Sequence, residues 1–320
     1  MKPDLLGRTH LLYEAAQQLG WADARAIAER ARALDRGLPA EDELSVILCW
    51  LGKCVFVHKL DQEQFPPEST SEFRVPDLLT VFVYRDRHVP VLIEVKATDE
   101  NPLNWREDYL GGLHRYAALL HVPLLVAWKH RTFWCLFEST YFKRAITNFK
   151  AKFEEVMLEN LMGVLAGDFS FSFRPGVALT MRIRKVQQTD TGWETIIEET
   201  YFTNTNGKKV ALARGVLPLF LCIDQDADLL DEGSHFIQNF IIKSEDQAEF
   251  ASRALSKILQ VFTAHGSEID WRNLLQTATV PKLAKDFRGS AEAALKSGFL
   301  KMLVNQKPRT KPGFLAKFIG

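Results

Sequence analysis

The chain has 320 residues and a formal net charge of zero, with 40 Lys and Arg side chains against 40 Asp and Glu. Hydrophobic residues make up 47% of it and charged residues 25%, which excludes long intrinsic disorder, since disorder needs low hydrophobicity and high net charge. No apolar run approaches the roughly 18 residues of a membrane span, so we expect no membrane partner. The start, Met1-Lys2-Pro3-Asp4, has no apolar segment behind it, so we expect no signal peptide.

The cysteines are scattered along the chain. Cys49, Cys54, Cys135 and Cys222 form no Cys-x-x-Cys pair and show no zinc-ligand spacing. They are typical of free thiols in a reducing compartment, which predicts a cytoplasmic protein. At about 150 residues per domain, the length predicts about two domains.

The first half of the chain predicts an α/β unit. Helical composition marks 8–36 and the residues from Glu41 to Gly52. The segments that follow are predicted, in chain order, as strand Val55–Leu60, loop Asp61–Ser71, strands Leu78–Tyr84 and Val89–Ala97, loop Asp99–Asn104, helix 106–120, and strands Leu124–Trp128 and Thr132–Phe137. The strand–helix–strand order favours a parallel pair with a right-handed crossover.

After Phe142 the pattern changes, and we place a domain boundary near 145–168. The remaining segments are predicted as a long helix 144–167, strands Val177–Val186, Glu194–Phe202 and Leu217–Ile223, and two or three helices over 245–304. The predicted domains are 1–40, an N-terminal helical segment, 41–145, the α/β core, and 146–320, an α+β domain with a basic tail.

Charged residues interrupt the second strand of the predicted hairpin. With a turn centred on Asp86 and Arg87, Asp77 lies opposite Lys96 and diagonal to Glu94, and the three side chains share one face. Two interpretations remain open. One is an ion network on a solvated sheet; the other is a divalent metal held by two carboxylates with a lysine beside it.

These residues also spell a known signature. Pro76-Asp77, sixteen intervening residues, and Glu94-Val95-Lys96 resemble the PD-(D/E)xK motif of the restriction-endonuclease-like nuclease superfamily. The surrounding elements over 41–140 are similar in order to those of archaeal Holliday-junction resolvases. The resemblance implies a restriction-endonuclease-like core, a mixed sheet flanked by helices, with N-terminal helices and a second α+β domain.

The resemblance also implies roles for single residues. Asp77, Glu94 and the Val95 carbonyl would ligate Mg²⁺ or Mn²⁺, and Lys96 would be the catalytic lysine. Glu43, one turn before Ile47, is the best match to a further helix glutamate, or it merely stabilises its helix N-terminus. Many relatives carry a glutamine where this chain has Gly112, which leaves that auxiliary role unfilled or moves it to His114 or Tyr109.

Basic residues are concentrated near the C-terminus. Residues 281–320 hold nine Lys and Arg against two acidic residues, and such clusters bind phosphate backbones. The candidate nucleic-acid contacts are His114, Lys282, Lys285, Arg288 and Lys296. A helix Lys285–Met302 followed by basic residues could suit a winged helix, or it could be a solvated face.

The sequence therefore predicts a metal-dependent nuclease, an endonuclease or exonuclease, that hydrolyses phosphodiester bonds in DNA. Asp77 and Glu94 would hold the metal and Lys96 would assist. DNA is preferred over RNA by analogy with the family. The alternative is a catalytically silent binding or scaffolding module with the same fold. A homo-oligomer is a further possibility.

Overall fold

A computed structural model describes most of the chain. It covers residues 40–210, 216, 220, 225–244, 253–257, 280–304 and 313; the side chains at 253, 280–287 and 302–304 are outside the description. The predicted N-terminal helices over 8–36 and the basic tail beyond residue 304 therefore lie outside the described residues, apart from residue 313.

Two compact units make up the chain. The first contains the described residues up to Val46, Val57–Thr80 and Pro90–Met157, and the second contains Ile47–Phe56, Val81–Val89 and the described residues from Leu158 onwards. Their last boundary in the chain thus falls between Met157 and Leu158.

The chain up to Met157 alternates helices and strands. Its elements are α1 (40–51), β1 (Cys54–Lys59), α2 (Ser69–Glu72), β2 (Leu78–Tyr84), β3 (Arg87–Ala97), β4 (Leu103–Arg106), α3 (Glu107–Leu120), β5 (Leu124–His130), β6 (Phe133–Glu138), β7 (Lys143–Arg144), β8 (Asn148–Ala151) and α4 (Phe153–Met157). The structure confirms the predicted strands, the helix after Glu41 and the helix 106–120. Their observed ends lie within two residues of the predicted ends.

A five-stranded mixed sheet has the order β1-β2-β3-β5-β6. Strands β3 and β5 are parallel, as predicted, with Glu94 opposite Val126, and β6 returns antiparallel to β5. Strands β4, β8 and β7, from the same part of the chain, form a separate small antiparallel sheet in the order β4-β8-β7. The fold is therefore mixed α/β, with helices and a central mixed sheet.

Burial explains why β3 is the central strand. Every residue from Val91 to Val95 is buried, as expected for a strand covered on both faces. Helix α3 buries Leu110, Leu113 and Ala117 at helical spacing, and it ends where His121 adopts a left-handed conformation.

The predicted helix 144–167 is wrong. That segment holds β7, β8, the five-residue α4 and a π-helical turn at Met162–Ala166. Strand β8 pairs with β4, with Trp105 opposite Phe149, so a long-range pairing overrides the local helical preference. The predicted loop Asp99–Asn104 likewise ends in β4, and α2 lies at the end of the predicted loop Asp61–Ser71.

The second unit is mainly β in its described part. After Met157 the elements are β9 (Ser170–Phe173), β10 (Ala178–Thr189), β11 (Gly192–Thr203), β12 (Lys209–Val210), β13 (Asp226–Asp231), β14 (His235–Ile241), β15 (Arg253–Ala254), α5 (Val280–Lys296) and β16 (Leu300–Val304). They form an antiparallel sheet, β12-β11-β10-β14-β13, and a second sheet, β15-β9-β16. The predicted strands at 177–186 and 194–202 are confirmed.

Two other predictions for this unit need correction. The predicted helix Lys285–Met302 gives way to β16 after α5 ends at Lys296. Of the predicted strand Leu217–Ile223, only Phe220 lies among the described residues, and it is helical.

Two further observations concern the described residues alone. Cys49, Cys54 and Cys135 are free thiols, whereas Cys222 is outside the description. Within the described segments we find no helix with the length and hydropathy that a membrane crossing needs.

Candidate metal centre

The hairpin that carries the site turns over Arg85 and Asp86, one residue earlier than predicted. These residues have φ values of 48° and 60°, as a two-residue type I′ turn requires. The predicted turn at Asp86 and Arg87 is therefore wrong. Type I′ turns ordinarily carry Asn or Gly, and neither residue is present to mark the turn in the sequence.

The turn determines which residues of the two strands lie opposite one another. Counting back from it along β2 and β3 brings Asp77 opposite Glu94 instead of Lys96. The pairing shifts by two residues, and because side chains alternate between faces with a period of two, each keeps its predicted face. Asp77, Glu94 and Lys96 thus belong to one face of the hairpin.

Asp77 is held against β3 by its own carboxylate. The Val95 amide donates a hydrogen bond of 2.6 Å to Asp77 Oδ2, and the Leu60 amide donates to the Asp77 carbonyl oxygen at 2.9 Å. Burial, and then the negative charge of Glu94, raise the pKa of the Asp77 carboxyl from 3.8 to about 8, although Lys96 and the Val95 amide act in the opposite direction. Two carboxyl groups are therefore crowded into one poorly solvated place.

Glu94 lies on the central strand with only 1% of its surface exposed. Lys96 Nζ donates a hydrogen bond to Glu94 Oε1 at 2.5 Å, and the Lys96 side chain is 32% exposed. Burial lowers the pKa of Lys96, but Glu94, Tyr109 and Asp77 outweigh that effect and raise the pKa above its ordinary value. Lys96 therefore stays positively charged at neutral pH, between a buried carboxylate and solvent.

The Tyr109 hydroxyl completes this cluster from the first turn of α3. It donates a hydrogen bond to Glu94 Oε1 and accepts one of 3.0 Å from Lys96 Nζ. Burial, and then the charge of Glu94, raise the pKa of the phenol, so the hydroxyl keeps its proton and can donate. Tyr109 is one of the two residues predicted for the auxiliary role, and the structure brings it into contact with the site.

The donor set consists of hard oxygen atoms. The amide and carbonyl of one strand residue point to the same neighbouring strand, so the Val95 carbonyl, like its amide, faces the side of Asp77. Two carboxylates and a carbonyl suit Mg²⁺ or Mn²⁺, which use few protein ligands and complete their shell with water and phosphate. Across the described segments, no cluster of three or more His, Cys, Asp or Glu could hold a metal ion.

Glu43, the predicted helix glutamate, lies near the start of α1 among other acidic residues. Glu43 is buried and accepts hydrogen bonds from Lys129 Nζ and, at 3.0 Å, from Trp134 Nε1. The helix carboxylate whose charge raises the pKa of Asp77 is instead that of Glu41, which also pairs with Lys59 at 3.0 Å. The role of Glu43 in catalysis stays a prediction.

Gly112, where the resemblance predicts a missing auxiliary glutamine, has no room for a side chain. A Cβ atom added to Gly112 would lie 2.6 Å from Arg74 Cγ and 3.3 Å from the Arg74 backbone nitrogen. The segment before β2 packs directly on α3 at this point. His114, the other candidate, bonds Ser139 Oγ at 2.8 Å, and burial lowers its pKa.

The basic candidates lie in the second unit. Arg288 is already engaged, since its Nε donates to Glu292 at 2.7 Å and its Nη1 donates to the Leu51 carbonyl at 3.2 Å. Lys296 is exposed at the end of α5. Lys282 and Lys285 belong to α5, but their side chains are outside the description. Their contact with nucleic acid stays a prediction.

Comparison with known proteins finds similarity among solved structures. The chain matches no protein-family model and no curated protein. Among solved structures it is similar to Hjc, a Holliday junction resolvase from the archaeal hyperthermophile Archaeoglobus fulgidus, with 25% sequence identity and a TM-score of 0.31. The alignment covers 37% of this chain and 89% of that chain.

Proposed function

We propose that this protein is a metal-dependent nuclease that hydrolyses phosphodiester bonds in DNA. Asp77, Glu94 and the Val95 carbonyl would hold Mg²⁺ or Mn²⁺, and Lys96 would assist. The observation that carries this proposal is that the two carboxyl groups lie on one face of the hairpin in a poorly solvated place, where the Val95 amide bonds Asp77 and Lys96 bonds Glu94. Burial, and then the charge of Glu94, raise the pKa of Asp77 to about 8. The choice of DNA rests on the resemblance to the PD-(D/E)xK superfamily alone.

The electrostatics of the cluster favour a bound cation. Glu94 is buried on the central strand and Asp77 faces it, while Lys96 supplies one positive charge for the two acids. A buried carboxylate without sufficient positive charge is expensive, and here the cost appears as a protonated Asp77. A divalent cation between the two side chains would offset both charges and let Asp77 ionise.

Each side chain then has a separate task. A bound divalent cation polarises phosphate oxygens and lowers the pKa of bound water. Asp77, directly before β2, and Glu94, on β3, would hold it. Because its pKa is raised, Lys96 keeps its proton at neutral pH, so it would orient water or stabilise negative charge on the phosphate instead of acting as a base.

Cleavage assays test this assignment directly. We expect single-stranded, duplex or branched DNA to be cut with Mg²⁺ or Mn²⁺ and not with EDTA. Asp77→Asn and Glu94→Gln keep the shape of each side chain and should each lower the rate by at least ~100-fold. Glu100→Gln, which removes an exposed carboxylate after β3, is the matched control and should cleave like the wild type. Equal cleavage by all four proteins would refute the assignment.

One observation favours the alternative of a catalytically silent binding module. The described residues offer two carboxylates and no third acidic, His or Cys ligand, while Glu43 is paired with Lys129. In that case Lys96 would simply be the internal counter-ion of Glu94. Calorimetric titration with Mn²⁺ separates the two functions, because a silent module with this ion pair should bind no metal and cut no DNA.

A further inference from the structure

The Tyr109 hydroxyl occupies a shared position between the two charged groups of the site. Glu94 Oε1 accepts hydrogen bonds from both Tyr109 and Lys96, and Lys96 Nζ also reaches the Tyr109 oxygen at 3.0 Å. The three polar atoms therefore form a closed triangle. Lys96 has two partners in this triangle, one charged and one neutral.

Aromatic packing fixes the Tyr109 ring. Trp105 meets it edge to face with ring centroids 5.4 Å apart, and Trp105 is itself stacked on Phe142 at 4.4 Å. The Lys96 ammonium lies 5.3 Å from the Tyr109 centroid and 5.9 Å from the Trp105 centroid. The Lys96 ammonium therefore lies next to two aromatic rings, and these rings attract it whether or not Glu94 binds a metal ion.

The same carboxylate is required by two cations. Glu94 Oε1 is bound by the Lys96 ammonium, yet Glu94 is also a proposed ligand of the divalent cation. When Glu94 serves as a metal ligand, its attraction for Lys96 weakens, and the ammonium needs another partner to stay in the site. Lys96 is 32% exposed, so without such a partner it could turn into solvent.

We propose that Tyr109 is the positioning residue for Lys96, keeping the ammonium beside the reacting phosphate when Glu94 binds the divalent cation. This inference rests on the proposed nuclease function. Tyr109 and Gly112 are three residues apart on α3 and so lie on the same side of the helix. Arg74 leaves no room for a side chain at Gly112. The Tyr109 hydroxyl, one turn earlier on the same side of the helix, is the polar group that reaches Lys96.

The test combines Mn²⁺ affinity with cleavage in a double-mutant cycle of Tyr109→Phe and Lys96→Gln. Lys96→Gln removes the competing ammonium and should tighten Mn²⁺ binding by roughly 10-fold. Tyr109→Phe removes the partner that keeps Lys96 in the site once Glu94 binds the metal, so the metal-bound state loses a hydrogen bond and Mn²⁺ binding should weaken by roughly 3- to 10-fold. In the Lys96→Gln background the Tyr109→Phe effect on affinity should disappear.

Cleavage gives the second readout. Tyr109→Phe should lower kcat by roughly 10- to 100-fold, the value of a hydrogen bond to a charged group. Tyr116→Phe is the matched control, since Tyr116 lies two turns further along α3 against the hydrophobic core. It should change neither Mn²⁺ affinity nor kcat.

The outcomes separate the two proposals. Wild-type values for Tyr109→Phe, with Asp77→Asn inactive, would overturn the role of Tyr109 and leave the nuclease standing. An equal Tyr109→Phe effect in both backgrounds would mean that the hydroxyl acts through Glu94, which also overturns it. A wild-type protein that neither binds Mn²⁺ nor cuts DNA would overturn both.

Discussion

The Asp77 carboxyl should make the stability of the hairpin fall as the pH rises, opposite to the usual effect of a carboxylate. Its pKa is about 8 in the fold against an ordinary value of 3.8. Below about pH 4 the carboxyl is protonated in both states. Between about pH 4 and 8 the unfolded chain gives up this proton while the fold retains it, so the free energy of unfolding decreases. Above about pH 8 the carboxyl is ionised in both states, and the free energy of unfolding no longer changes through Asp77.

The size of the effect follows from the same two values. The difference between about 8 and 3.8 corresponds to a ceiling of about 6 kcal/mol, or about 1.4 kcal/mol per pH unit. Asp77→Asn removes the titration and retains an oxygen that can accept the Val95 hydrogen bond. Without metal, the variant should therefore be more stable than the wild type above about pH 5, and increasingly so up to about pH 8.

Hydrogen–deuterium exchange of the full chain in EDTA measures this. Peptides that cover Leu78–Ala97 report the opening of β2 and β3. The two proteins are compared at each pH, so the pH dependence of chemical exchange cancels. The ratio of variant to wild-type protection should grow by up to about 10-fold per pH unit between pH 5 and 8. A ratio that does not change with pH would refute the reasoning about Asp77.

Three further outcomes are expected. Mn²⁺ binding at pH 7, measured by calorimetry in buffers of different ionisation enthalpy, should release about one proton from the wild type, because Asp77 must ionise, and none from Asp77→Asn. Glu43→Gln should destabilise the chain by about 1–3 kcal/mol in denaturant unfolding, because Lys129 loses its buried partner, while cleavage is retained. Gly112→Ala should cost about 1–3 kcal/mol through its clash with Arg74, and adding Arg74→Ala should recover part of that loss.

Each of these outcomes has a clear opposite. Equal proton release from the wild type and Asp77→Asn would place the titrating group elsewhere. Loss of cleavage in a stable Glu43→Gln protein would restore the catalytic role predicted from the sequence. A fully stable Gly112→Ala protein would mean that the segment before β2 does not pack on α3 as closely as the structure has it.

The composition of the site was predictable because it depends on strand periodicity. Asp77, Glu94 and Lys96 share a face whenever the pairing shifts by an even number of residues, so the wrong turn position did no harm. The residue opposite Asp77 was not predictable, because Arg85 and Asp86 adopt left-handed conformations that the sequence at the turn does not indicate.

Residues that reach the site from helices were harder to predict. A helix can rotate about its axis to suit its packing, so the acidic start of α1 does not reveal that Glu43 pairs with Lys129 and Glu41 with Lys59. Tyr109 and His114 were equivalent candidates in sequence, and only packing separates them, one against Glu94 and the other against Ser139. The strand β8 was missed because its pairing with β4 is a long-range contact.

The turn of the hairpin is a place where a label could be attached without changing Asp77 or Glu94. Asp77 precedes the turn by eight residues in the chain. Arg85, Asp86, Arg87 and His88 are all exposed there. A dye attached at this turn would leave the two carboxylates chemically unmodified, and it would mark the strand pair for distance measurements.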